Sequence, residues 1–170
     1  MTDTRMSIRV ATLADCQLIH DMAWQVFPET YQDIISPAQI AYMMEQMYSI
    51  ESLRRQMTEE RQVYLIACRG DESLGYVSVQ PQDKDLWHLQ KIYVLSGHQK
   101  EHVGKFLFCQ AVAYIRCHQQ GSCRMELNVN RHNPALGFYR HLGMRVVRTE
   151  DNDIGNGFFM NDYVMGMDIA

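Results

Sequence analysis

What this sequence has little of narrows it first. No apolar run reaches the roughly 20 residues a helix needs to cross a bilayer, so no membrane attachment is expected. The opening MTDTRMSIRV holds no apolar h-region, so no secretory leader is read there and a cytoplasmic setting is expected. Positive charge is not in excess: 16 Lys and Arg stand against 20 Asp and Glu, for a net charge of -4. With no basic stripe either, nucleic acid is not an expected partner. No linker, repeat or low-complexity segment interrupts the 170 residues, which fit one domain spanning 1–170. The cysteines, Cys16, Cys68, Cys109, Cys117 and Cys123, are odd in number and show no paired framework, so reduced and mostly buried thiols are expected. His98-x3-His102 and Cys117-His118-x4-Cys123 bring potential ligands close. Neither has paired zinc spacing or a second pair to complete four ligands, so no metal is expected.

What is present is a sequence of alternating periods. Ser7 to Val10 reads as a strand, and Thr12 with Asp15 as a capping-box start. The helix that follows sets Leu18, Ile19, Met22, Val26 and Phe27 on one face and should end at Pro28. Ser36-Pro37-Ala38-Gln39 starts a second helix with a Met-rich stripe, and Ser49 caps a third from about Ile50 to Glu59. Strands follow at Gln62–Cys68, Leu74–Val79 and Leu86–Val94, the first two as a hairpin. A long helix from Val103 stops near Gly121, and Met125–Val129 is a strand. Asn133-Pro134 then opens a helix over Ala135–Leu142, and Arg145–Arg148 is a strand. Asn156-Gly157 turns into the last strand, Phe158–Ile169. The order is that of a mixed α/β sheet with helices on both faces.

The chemistry concentrates in Gln90 to Phe108, QKIYVLSGHQKEHVGKFLF. A strand feeding a helix through a polar turn leaves the first helical N–H groups free to meet an anion. Gly104 permits close approach, and Lys100 and Lys105 add positive charge.

Two segments resemble the GNAT superfamily of acetyl-CoA-dependent N-acyltransferases. KIYVLSGHQKEHVGKFLF is similar to that family's strand followed by Q/R-x-x-G-x-G/A, reading Gln99-Lys100-Glu101-His102-Val103-Gly104. LNVNRHNPALGFYRHLGMRVV looks like its N-x-x-A-x-x-F-Y-x-x-x-G-F region. Further upstream, SPAQIAYMMEQMYSIESL looks like bacterial spermidine/spermine acetyltransferases. The resemblance departs at His102, where the family has its first motif glycine. Histidine tolerates left-handed geometry better than most side chains.

The resemblance implies a mostly antiparallel sheet of about seven strands, splayed between the fourth and fifth to admit the pantetheine arm. Ile92, Tyr93 and Val94 would be backbone partners of acetyl-CoA, and Gln99, Lys100, Glu101, His102, Val103, Gly104 and Lys105 its pyrophosphate cradle. Asn130 and Asn133 would touch the cofactor. Tyr139 would lie near the thioester sulfur as general acid. Gln90 stands where relatives often have Glu, which makes His88, two residues earlier, the candidate base. Trp24, Glu29, Tyr31 and Asp33 lie where the acceptor would bind, and Glu150, Asp151 and Asp153 form an acidic patch. Together these imply acetyl transfer to a primary amine of a small molecule, a polyamine among them. A peptide or protein N-terminus or lysine is the alternative acceptor, and a non-catalytic acetyl-CoA-binding module the alternative of another class. A homodimer is left open.

Overall fold

The computed structural model describes residues 5–170. Strand β1 (Met6–Val10) leads through a 3-10 turn (Leu13–Asp15) into α1 (Cys16–Tyr31). The turn forms because the Asp15 carboxylate accepts from the Thr12 N–H at 2.8 Å while the Asp15 N–H donates to the Thr12 carbonyl. Helix α1 does not stop at Pro28 but runs to Tyr31. Proline removes the bond to the carbonyl four residues back, which belongs to exposed Trp24 and can turn to water. Burial of Phe27 and Tyr31, with ring centroids 4.6 Å apart, holds the last turn helical.

Local signals set the next two helices, α2 (Pro37–Tyr48) and α3 (Ile50–Thr58). Ser36 Oγ accepts from the Gln39 N–H at 3.1 Å, and Ser49 Oγ from the Ser52 N–H at 3.2 Å. Then come β2 (Val63–Arg69), β3 (Glu72–Asp83), β4 (Leu86–Val94), α4 (Val103–His118), β5 (Cys123–Asn130), α5 (Ala135–His141), β6 (Arg145–Gly155) and β7 (Phe158–Ile169). At the β6–β7 turn Asn156 and Gly157 both have positive φ, as a tight two-residue hairpin requires.

The seven strands form one sheet in the order β1-β2-β3-β4-β5-β7-β6. All neighbours are antiparallel except β4 and β5. Helix α4 and Tyr139 of α5 pack on one face, against Leu65, Val77, Leu89 and Leu127. Helices α1, α2 and α3 cover the other, over Tyr64, Ile66 and Tyr76. The β6–β7 hairpin reaches across to α2: Tyr42 Oη donates to the Ile154 carbonyl at 2.8 Å and Gln39 Nε2 to the Phe159 carbonyl at 2.7 Å. Gly155 takes part because a Cβ there would lie 2.4 Å from Tyr42 Oη.

All five cysteines are free thiols. Cys16 and Cys123 are buried and Cys68 half-buried, but Cys109 and Cys117 are exposed, because the stripe α4 buries runs through Val103, Leu107, Ala111 and Ile115 instead. No helix among the described residues is long and apolar enough to cross a membrane.

Candidate active site

Strands β4 and β5 pair only where Leu86–His88 meets Arg124–Glu126. Beyond that the strands part, and a cavity of about 500 Å³ opens between them. Its walls are Leu89 to Val94 on β4 and Leu127 to Val129 on β5, with the start of α4 at one end and α5 alongside. A bulge helps turn β4 away. Leu89 pairs with Val79 and Lys91 with Ser78, so Gln90 is an extra residue without its own partner on β3. The bulge interrupts strict alternation between His88 and Gln90, yet the two still meet at Gln80, which pairs with His88 and accepts from Gln90 Nε2 at 2.7 Å.

At the start of α4, His102 is the N-cap and adopts the left-handed conformation, φ 62° and ψ 22°. The Phe106 N–H bonds back to the His102 carbonyl, so the amides of Val103, Gly104 and Lys105 precede the first intrahelical bond. Gly104 leaves little room to spare, since a Cβ there would stand 3.3 Å from the Phe138 ring. Gln99, Lys100, His102 and Lys105 line the cavity mouth, while the Val103 side chain faces the core. Glu101 lies outside the lining: its N–H donates to the His98 carbonyl and its carboxylate meets Arg69 and His98. His98 also meets Glu72 on β3 at 2.8 Å, which ties this turn to the sheet. Free amides, two lysines and a slot between parted strands fit a diphosphate with a long flexible arm.

Tyr139 is buried and lines the same cavity as Tyr31 and Tyr93, whose hydroxyls lie 3.4 Å apart. Burial pushes the Tyr139 phenol well above its usual range, so it keeps its proton at neutral pH. Asn133 lines the cavity while its Oδ1 accepts from the Ala135 N–H at 2.9 Å. Asn130 is buried beneath it, with Oδ1 accepting from the His132 N–H. His88 sits one residue back from the cavity, its Nε2 3.0 Å from Oδ1 of the lining residue Asn128. Burial lowers its pKa, against a smaller raising by Asn128. Trp24, Glu29 and Asp33 are exposed and outside the lining, and Glu29 accepts from Ser96 Oγ at 2.6 Å.

A model of the family described as an acetyltransferase (GNAT) domain matches residues 31–166. The chain belongs to the GNAT acetyltransferases. It is an N-acetyltransferase whose cosubstrate is acetyl-CoA. Its fold is shared by the PaiA N-acetyltransferase from Thermoplasma acidophilum in complex with coenzyme A, at 23% identity and TM-score 0.77, covering 95% of this chain and 98% of that one. Arabidopsis thaliana NAA60 in complex with a bisubstrate analogue matches at 19% identity and TM-score 0.71, covering 98% and 100%. The ribosomal-protein-S18-alanine N-acetyltransferase from Escherichia coli matches at 13% identity and TM-score 0.72, covering 98% and 95%.

Sequence reading passed over several residues that this GNAT chain builds into its site. Lys91 is buried, its ammonium bonded to Gln56 Oε1 at 2.7 Å and to the Tyr64 hydroxyl, and 4.7 Å from the Tyr48 ring centre. Burial lowers its pKa to about 7. A charged residue amid LQKIYV was the signal available. Phe138 closes over Gly104, and its place beside Tyr139 could have shown it. Asn128, which lines the slot, carried no local signal, because its place there depends on strands distant in the chain.

Proposed function

We propose that this acetyltransferase passes its acetyl group directly to a primary amine of a small molecule, polyamines included, within a ternary complex. The observation that carries the reading is one slot in which a protonated phenol, Tyr139, lies beside the parted strands. In this scheme the amides of Val103, Gly104 and Lys105, with Lys100, hold the diphosphate, and Ile92 to Val94 offer main-chain bonds to the arm.

Chemistry then needs one proton removed and one supplied. His88 is neutral near pH 7 because burial lowers its pKa, and its Nε2–H donates to Asn128. That bond leaves the Nδ1 lone pair, buried and without a partner in the free protein, to take the amine proton once the acceptor or a water reaches it. As nitrogen bonds to the carbonyl carbon and the C–S bond breaks, Tyr139 gives its phenolic proton to sulfur. Acetamide and free thiol are the products: an acceptor that enters as an ammonium gives its first proton to His88, which passes it to water, and the second nitrogen proton restores the Tyr139 phenol through solvent.

A coenzyme A release screen over polyamines, amino acids, aminoglycosides and N-terminal peptides tests the reading. Turnover with small primary amines supports it; turnover confined to peptides would replace it with a protein-directed enzyme.

A further inference from the structure

The sheet face beside the slot carries a buried carboxylate whose side chain makes no ion pair among the described residues; burial raises its pKa, and Arg131 acts on it only from a distance. Asp162 on β7 is 5% exposed. Its Oδ2 accepts from Asn128 Nδ2 and Asn152 Nδ2, each at 3.2 Å. Its Oδ1 is buried and meets no donor. The acids around it are neutralised: Glu126 by Arg124 and Arg148, Glu150 by Arg148, and Asp151 by Arg131. Arg131 reaches Asp162 only at the main-chain oxygen, at 3.4 Å. A buried anionic oxygen left without a donor is costly, and a ligand that supplies an N–H⁺ removes the cost. Asn128 joins this oxygen's residue to the slot, which it lines, and to His88, whose Nδ1 is also buried without a partner.

Resting on the amine-acetylation reading above, we propose that Asp162 holds one nitrogen of the acceptor as an ammonium while a second nitrogen reacts. The two nitrogens are distinct because a carboxylate stabilises the protonated form, and a protonated nitrogen has no lone pair for attack. The acceptor is then an alkyl diamine or longer, with His88 serving the nitrogen that Asp162 does not hold.

The test is titration calorimetry on the CoA-saturated protein with 1,4-diaminobutane and with 4-aminobutan-1-ol, which replaces one ammonium by a hydroxyl. Wild type should bind the diamine about tenfold more tightly or better, as a charged hydrogen bond to a buried carboxylate implies. Asp162→Asn and Asp162→Ser, checked for folding by thermal melts, should erase that preference, and Asp71→Asn on an exposed turn should keep it. Equal binding of the two probes by wild type, or a preference surviving in both Asp162 variants, overturns the proposal. Coenzyme A release assayed in parallel separates the two ideas. No acetylation with the preference intact removes the reaction reading alone, and acetylation without the preference removes the subsite alone.

Discussion

A histidine held at φ 62° pays a conformational cost of roughly 1 kcal/mol that glycine escapes. Replacing His102 by Gly should therefore raise the free energy of unfolding by up to about 1 kcal/mol in urea titrations. Because His102 also lines the cavity mouth, coenzyme A titrations of the same variant separate its side chain from its backbone: unchanged affinity assigns anion binding to the amides, and weakened affinity to the imidazole. Tyr139→Phe removes the proposed acid without enlarging the cavity, and single-turnover rates should fall by about 100-fold or more with acetyl-CoA binding unchanged. Lys91 makes a different prediction. Its folded pKa of about 7 lies below the unfolded 10.5, so between these values the unfolded chain binds more protons. Stability from this residue should rise with pH across that window, by at most about 1.4 kcal/mol per unit. In melts from pH 7 to 10 the stability of wild type relative to Lys91→Met should rise with pH, the slope from the buried tyrosines being common to both.

At the scale of elements, the turn before α4 is fastened by an imidazole between two carboxylates. Glu101 and Glu72 both raise the His98 pKa, Glu101 the more, because both ring nitrogens can donate only when the ring is charged. A raised folded pKa means the fastening is complete below the unfolded value near 6.5 and is lost as pH rises through the folded value. Amide exchange over residues 97–105, corrected for intrinsic rates, should quicken with rising pH in wild type and be uniformly fast in His98→Ala. Which elements could be read from sequence follows from where their information lies. Helix starts at Ser36 and Ser49 were legible because a cap is a contact three residues long. So was β4, whose bounds coincide with the expected Leu86–Val94. Strand β6 was expected to end at Arg148 and runs to Gly155, because TEDNDI lies on a half-exposed hairpin and has no apolar alternation. The motif residues around the slot were legible through family likeness. Asp162 was not, since its partners Asn128 and Asn152 come from other strands.

For the molecule as a whole, the sheet is two antiparallel blocks joined by the short β4–β5 pairing. The β4 groups facing the slot lack a ladder partner beyond His88. Coenzyme A at 100 times its dissociation constant should stabilise the fold by about 2.7 kcal/mol. Slowed amide exchange should be centred on Ile92 to Val94, whereas binding outside the slot would leave those amides unchanged. The hairpin resting on α2 bears on how that slot is used. The blocks are fastened below by the short parallel pairing and above by Tyr42 and Gln39, so the width between them is set before any visitor arrives. Widening it would break these contacts, each hydrogen bond worth about 1 kcal/mol. A slender carrier that slides in from the side leaves them all intact.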